Sequence, residues 1–79
     1  MPNKTIPYQN LKRLEFLSTF LRELRLNSGM TQQEISQQIN LHRNSIIRAE
    51  NAKNITLLSL FELADALDIS PKELFLEID

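Results

Sequence analysis

Apolar residues along this chain recur at helical spacing, and no run alternates with period two for long enough to suggest a sheet. Leu14, Leu17, Leu21 and Leu24 form one stripe, widened by Phe16 and Phe20, which predicts a first helix from about Gln9 to Ser28. Gly29 follows it and suits the left-handed geometry of a helix end. Residues 1–8, with Pro2 and Pro7, read as a flexible N-terminal arm. Thr31-Gln32-Gln33-Glu34 has the capping-box pattern and predicts a second helix over 32–39. Ile35 and Ile39 would face inward, and Asn40 would end the helix in the left-handed region. A third helix is expected over 43–51. Thr56 caps a fourth over 57–67, whose buried face would be Leu57, Leu60, Phe61, Ala64 and Leu67. Ser70-Pro71-Lys72-Glu73 combines an N-cap, a first-turn proline and a box glutamate, and starts a short fifth helix over 71–77. The expected fold is all-α, a compact bundle of five helices forming a single domain over 9–79.

Helices two and three are separated by only a few residues, so they must cross steeply, as in a helix-turn-helix. That arrangement demands apolar residues where the two helices meet the core, and Ile35, Ile39, Leu41, Ile46 and Ala49 supply them. It demands a small residue at the close approach, supplied by Ser36, and a turn residue tolerant of positive φ, supplied by Asn40. On a helical wheel the third helix puts Ile46, Ala49 and Glu50 on one side and Arg43, Asn44, Ile47, Arg48 and Asn51 on the other. The second face has the chemistry of base reading. Arginine grips guanine or phosphate, asparagine pairs with adenine, and an exposed isoleucine meets a thymine methyl.

Composition narrows the alternatives. The chain has 79 residues, 42% apolar and 24% charged, a balance that supports one folded domain rather than a disordered segment. Cysteine is absent and histidine occurs once, which excludes disulfides, thiolate or histidine metal clusters and cysteine nucleophiles. No paired carboxylates, nucleophile–base pair or phosphate-cradling glycine loop is present, so no enzyme, metal or cofactor is expected. Apolar runs are a few residues long and no signal peptide precedes the first helix. A cytoplasmic protein without a membrane span is therefore expected. The net charge of −1 conceals an asymmetry. Residues 1–54 hold eight Lys or Arg against four acids, and residues 55–79 hold one Lys against six acids. A basic front and an acidic back suit a protein that turns one face to a polyanion.

Residues 20–75 resemble the helix-turn-helix domain of the phage repressor/Cro (XRE) family. The segments that carry the resemblance are Phe-Leu-Arg-Glu-Leu-Arg (20–25), Gly-Met-Thr-Gln-Gln-Glu-Ile (29–35), Leu-His-Arg-Asn-Ser-Ile-Ile-Arg-Ala-Glu-Asn (41–51) and Leu-Ala-Asp-Ala-Leu-Asp-Ile-Ser-Pro-Lys-Glu-Leu-Phe (63–75). The chain is similar in size to small stand-alone repressors and restriction–modification controller proteins. The resemblance implies a five-helix bundle of the lambda-repressor-like type that binds operator DNA, usually as a dimer. The segment before Phe20 would lengthen the first helix.

Carried over, the resemblance places the third helix in the major groove with His42, Arg43, Asn44 and Ile47 as base readers. His42 equally fits the N-terminal flank of that helix. Arg48 would take a base or a phosphate. Gln32, with Gln33 beside it, would meet a phosphate at the start of helix two. Asn51, Lys53 and Asn54 would meet phosphates from the following loop. Arg25 and Glu50 would form a structural salt bridge. The family often has glycine where Asn40, Ala52 and Asp68 stand. Ala52 tolerates left-handed geometry poorly, so either Asn51 takes that role or the loop is shaped differently.

Leu74, Phe75, Leu76 and Ile78, together with the first helix's added Leu11, Leu14 and Phe16, provide more apolar surface than the bundle needs. A homodimer through the fifth helix and the lengthened first helix is expected, reading a palindrome-like operator. The opposing expectation is intramolecular packing of those residues. Two other functions fit the same sequence: an antitoxin-type protein that binds DNA and a protein toxin, and an interaction module without DNA contact. RNA polymerase is a further candidate partner, through an acidic patch of Glu62, Asp65 and Asp68.

Overall fold

A computed structural model of the chain describes residues 5–79. The expected arm lies partly outside the described residues, and its last residue, Tyr8, already opens the first helix. Among the described residues there are four α-helices, one 3₁₀ segment and no strand. In order they are α1 (Tyr8–Asn27), α2 (Gln32–Gln38), α3 (Arg43–Ala49), α4 (Leu57–Ala66) and the 3₁₀ segment (Pro71–Phe75).

Local chemistry starts each short element. The Thr31 hydroxyl accepts from the Glu34 N–H at 3.1 Å, and the Glu34 carboxylate accepts from the Thr31 N–H at 2.9 Å, so α2 has a full capping box. Thr56 caps α4 by accepting from the Ser59 N–H. Pro71 opens the 3₁₀ segment, and the Glu73 carboxylate accepts from the Ser70 N–H.

The expected fifth helix over 71–77 is a five-residue 3₁₀ segment instead. Its first turn closes from residue i to i+3, Glu73 N–H to Ser70 C=O, and a further turn after it closes Ile78 N–H to Phe75 C=O. A piece this short is held by its one buried side chain, the fully buried Leu74, rather than by a helical ladder.

Three helix ends share one form. α1, α3 and α4 are each followed by a residue in the left-handed region: Gly29 (φ 73°), Ala52 (φ 56°) and Asp68 (φ 58°). Ala52 thus adopts the conformation it tolerates poorly, and Asn51 does not take its place. Asn40 departs from expectation as well. α2 ends at Gln38, and Ile39 leaves the helix in an extended conformation (φ −127°, ψ 160°). That region suits a β-branched residue, and Asn40 has no positive φ.

The core consists of Leu21 from α1, Ile35 from α2, Ile46 and Ala49 from α3, Leu60, Leu63 and Ala64 from α4, then Leu67 and Leu74. Ile39 and Leu41 pack against it as partly buried residues, so all five apolar residues expected of the helix-turn-helix serve the core. α2 packs on α3, α4 on α3, and the 3₁₀ segment on α1 and α4.

The buried face of α4 is rotated from the expected one. Leu60, Ala64 and Leu67 are inside, joined by Ser59 and Leu63, while Leu57 and Phe61 are exposed. The cap at Thr56 fixes the first turn through Ser59, and at 100° per residue Ser59, Leu60, Leu63, Ala64 and Leu67 then form one continuous side. Leu57, Leu58 and Phe61 share the opposite side.

Candidate nucleic-acid interface

The surface around α3 is built on a buried charge. Arg25, in the last turn of α1, donates from Nε to Glu50 Oε2 at 2.7 Å and from Nη2 to Glu50 Oε1 at 2.9 Å. It also donates from Nη1 to the Met30 carbonyl at 2.9 Å. Gln32 Nε2 adds a third donor to Glu50 Oε1 at 3.1 Å. The Glu50 hydrogen bond, opposed by burial and aided by its charge, holds the Arg25 guanidinium above its ordinary pKa. Glu50, the one acid at the end of α3, is therefore neutralised beneath the surface and does not repel a polyanion.

α3 starts at a histidine cap. His42 accepts the Asn44 N–H at Nδ1, 3.0 Å away, which leaves Nε2 as the ring nitrogen available to a ligand. His42 thus flanks the helix as its N-cap and stands exposed at the edge of its outer face. Arg43 and Asn44 follow in the first turn, both exposed, and Ile47 is half-buried one turn on. Arg48 is exposed, and its Nη2 donates to the Asn54 carbonyl at 3.0 Å, so the guanidinium is tied to the following loop. Asn51 Nδ2 donates to the Ile47 carbonyl at 2.6 Å, turning that carboxamide back onto its own helix. Lys53 and Asn54 stand exposed in the loop after α3.

A shallow groove joins these elements. Its walls include Arg22, Thr31, Gln32, Gln33, Arg43 and Asn51, so side chains from α1, the start of α2 and α3 converge there. A second groove, between α2 and the start of α3, includes Gln33, Ser36, Gln37, His42, Arg43 and Asn44. Gln32 is half-buried against Glu50, and the exposed Gln33 and Arg43 are shared by the two grooves. Arg22 was not among the sequence-derived candidates. Its signal was the spacing of one helical turn before Arg25, which places both arginines on the same side of α1.

Residues 21–74 match the family model described as helix-turn-helix. The chain belongs to the XRE-type helix-turn-helix family. This is a DNA-binding kind of domain, and its matched span runs from the buried Leu21 of α1 to the buried Leu74 of the 3₁₀ segment. No curated relative matches the chain. Of the helix-turn-helix elements, α2 supplies the capped start and α3 the exposed Arg43, Asn44 and Arg48.

The sequence-derived dimer surface divides. Leu74 is fully buried and belongs to the core, so it offers nothing to a partner. Phe75 and Leu76 are 47% and 72% exposed, and Ile78 is half-buried. An apolar groove beside them is walled by Asn10, Arg13, Leu14, Leu17, Phe75 and Ile78. Among the described residues no helix is long and apolar enough to cross a membrane.

Proposed function

We propose that this helix-turn-helix protein is a sequence-specific transcriptional regulator that reads a palindrome-like operator as a homodimer through α3. The observation that carries the reading is the outer face of α3. Arg43, Asn44, Ile47 and Arg48 point away from the core, and the only acid nearby, Glu50, is locked inward by Arg25 and Gln32. Arg43 and Asn44 read base edges with Ile47 as an apolar contact, and His42 adds Nε2 at the edge of that face. Gln33, Lys53 and Asn54 would meet DNA phosphates, joined by Gln32 and Asn51 through the amide hydrogens that Glu50 and the Ile47 carbonyl leave over, and Arg48 would take a base or a phosphate.

The second copy would dock on the apolar surface of Phe75, Leu76 and Ile78 with the N-terminal turns of α1, where Tyr8 and Phe16 are also exposed. A two-fold pair would set its two α3 helices about 34 Å apart, one turn of duplex, and so require a two-fold-symmetric site. Binding would act on RNA polymerase, either by excluding it from an overlapping promoter or by recruiting it through the acidic patch of Glu62, Asp65 and Asp68.

Selection from a random duplex pool tests the reading. The wild-type chain should enrich a symmetric site with an affinity that falls steeply with salt, and a variant with Arg43, Asn44 and Arg48 all replaced by alanine should lose it. Equal, weak binding by both proteins would remove DNA reading as the function.

A second reading, an antitoxin-type protein, is favoured by the outer side of α4. Leu57 and Leu58 are each 67% exposed there, and Phe61 is 44% exposed. A homodimer made through the C-terminal surface leaves this patch open for a protein of another kind.

A further inference from the structure

The three left-handed helix ends differ in one atom. At α1, the Gly29 N–H reaches the Leu26 carbonyl at 3.0 Å and the Met30 N–H reaches Arg25 at 3.4 Å. At α4, the Asp68 N–H reaches the Asp65 carbonyl at 3.1 Å and the Ile69 N–H reaches Ala64 at 3.0 Å. These are the inner and outer bonds of a Schellman end. At α3 the outer bond is present, from the Lys53 N–H to the Arg48 carbonyl at 3.1 Å. The inner bond is opened by a side chain from another helix. Ser18 Oγ of α1 accepts the Ala52 N–H at 2.7 Å and donates to the Ala49 carbonyl at 2.6 Å.

We propose that Ser18 is a positioning residue for DNA binding. Its hydroxyl holds the end of α3 open and so sets the course of the Ala52–Asn54 loop along the DNA backbone. The inference rests on the DNA-reading proposal above and names the residue that shapes one edge of that surface.

Three observations support it. Ser18 is buried, at 5% exposure, and has both its donor and its acceptor engaged across 31 and 34 residues of sequence. It takes the Ala49 carbonyl whose equivalents at α1 and α4 are met by the backbone N–H three residues on. The loop it holds starts from a non-glycine residue at φ 56°, carries Lys53 and Asn54, and offers the Asn54 carbonyl that restrains Arg48. Without the hydroxyl, the Ala52 N–H and the Ala49 carbonyl can close on each other as they do at α1 and α4. Such closure keeps the hydrogen bonds satisfied but pulls the loop toward α3. The effect of removing Ser18 Oγ therefore falls on geometry more than on stability.

The test compares the full chain with Ser18→Ala, Ser18→Cys and Ser59→Ala, using the duplex that the wild type selects. Ser59 is the second buried serine, and its Oγ accepts from the Thr56 hydroxyl at 3.0 Å rather than bonding residues 52–54. Ser18→Ala should bind about tenfold more weakly, with a salt slope shallower by about one and an unchanged base preference, the signature of a displaced phosphate contact. The Ala52 amide should also change its exchange rate. Ser59→Ala should retain the wild-type slope at equal folded fraction. Ser18→Cys keeps the side-chain volume with a weaker donor and acceptor, and carries the comparison if the alanine variant does not fold. Wild-type affinity and slope in whichever Ser18 variant folds would overturn the positioning role. So would a loss that only tracks stability, as Ser59→Ala defines it. A wild type that selects no duplex would overturn the DNA reading itself, before any variant is compared.

Discussion

Arg25 and Glu50 lie 25 positions apart in sequence, yet meet through two parallel hydrogen bonds of 2.7 and 2.9 Å. Their side chains are only 11% and 6% exposed. Removing one partner strands the other charge, so Arg25→Ala or Glu50→Ala should cost about 3–5 kcal/mol in chemical denaturation. Replacing both by apolar residues of similar size should cost less than either single change. A double-mutant cycle that finds the two changes simply additive would refute the coupling.

Ala52 and Gly29 make opposite predictions from the same backbone region. Ala52→Gly should stabilise the domain by about 1 kcal/mol, because glycine removes the left-handed penalty. Gly29→Ala should destabilise it by a similar amount. An added Cβ at Gly29 meets nothing within 4 Å, so the cost would be one of backbone conformation alone. Thermal melts of the two variants should shift in opposite directions.

These two sites also mark what the sequence could and could not disclose. The Thr31–Glu34 box is complete within four residues, and the structure has it as read. Gly29 was legible for a similar reason, the helix that ends beside it, whereas the left-handed position of Asp68 was marked only by family resemblance. Ser18 was not legible, because its partners Ala49 and Ala52 become neighbours only after α1 crosses α3. Without that contact nothing marks Ala52 as a tolerated left-handed residue. The face of α4 was misplaced because Leu57 and Phe61 fit a helical stripe nearly as well as Leu63 does. Only the cap at Thr56 and the core beneath decide between them. The pairing of Arg25 with Glu50 came from family resemblance rather than spacing. Arg22 entered only once the groove walls could be seen.

Glu34 gives the domain a small pH dependence. Hydrogen bonds from the Thr31 backbone and hydroxyl hold its carboxyl below the ordinary glutamate range. A carboxyl lowered on folding stabilises the native state above its unfolded pKa, and that contribution disappears as pH falls through the folded value. Wild type should therefore lose stability relative to Glu34→Gln as the solution is acidified through that window. Parallel stability–pH curves for the two proteins would refute the assignment. Full exposure of the group keeps the effect small.

Asn44 and Lys53 should separate base reading from phosphate contact. Asn44→Ala should cost about 1–3 kcal/mol at one base pair of the selected site and relax preference there. Lys53→Ala should weaken all duplexes alike and make the salt slope shallower by about one. Titrations of matched and single-mismatch duplexes at several salt concentrations would distinguish them.

Leu76 tests the dimer without touching the core. It is 72% exposed, so Leu76→Glu should leave the fold and its melting behaviour nearly intact. In the proposed assembly it should shift the protein to monomer in sedimentation equilibrium and weaken binding to a symmetric site far more than to a half-site. An unchanged sedimentation mass would move the interface elsewhere.

α2 and α3 are seven residues each, two turns of helix, too short to persist in water without their neighbours. Neither helix can therefore hold its outer face alone, and that face exists only where the surrounding domain is folded. In the proposed function, an operator that captures α3 would withdraw its molecule from the unfolding equilibrium. Occupied sites would then, in the proposed function, protect the bound protein from proteolysis, while free copies would turn over as their own stability allows.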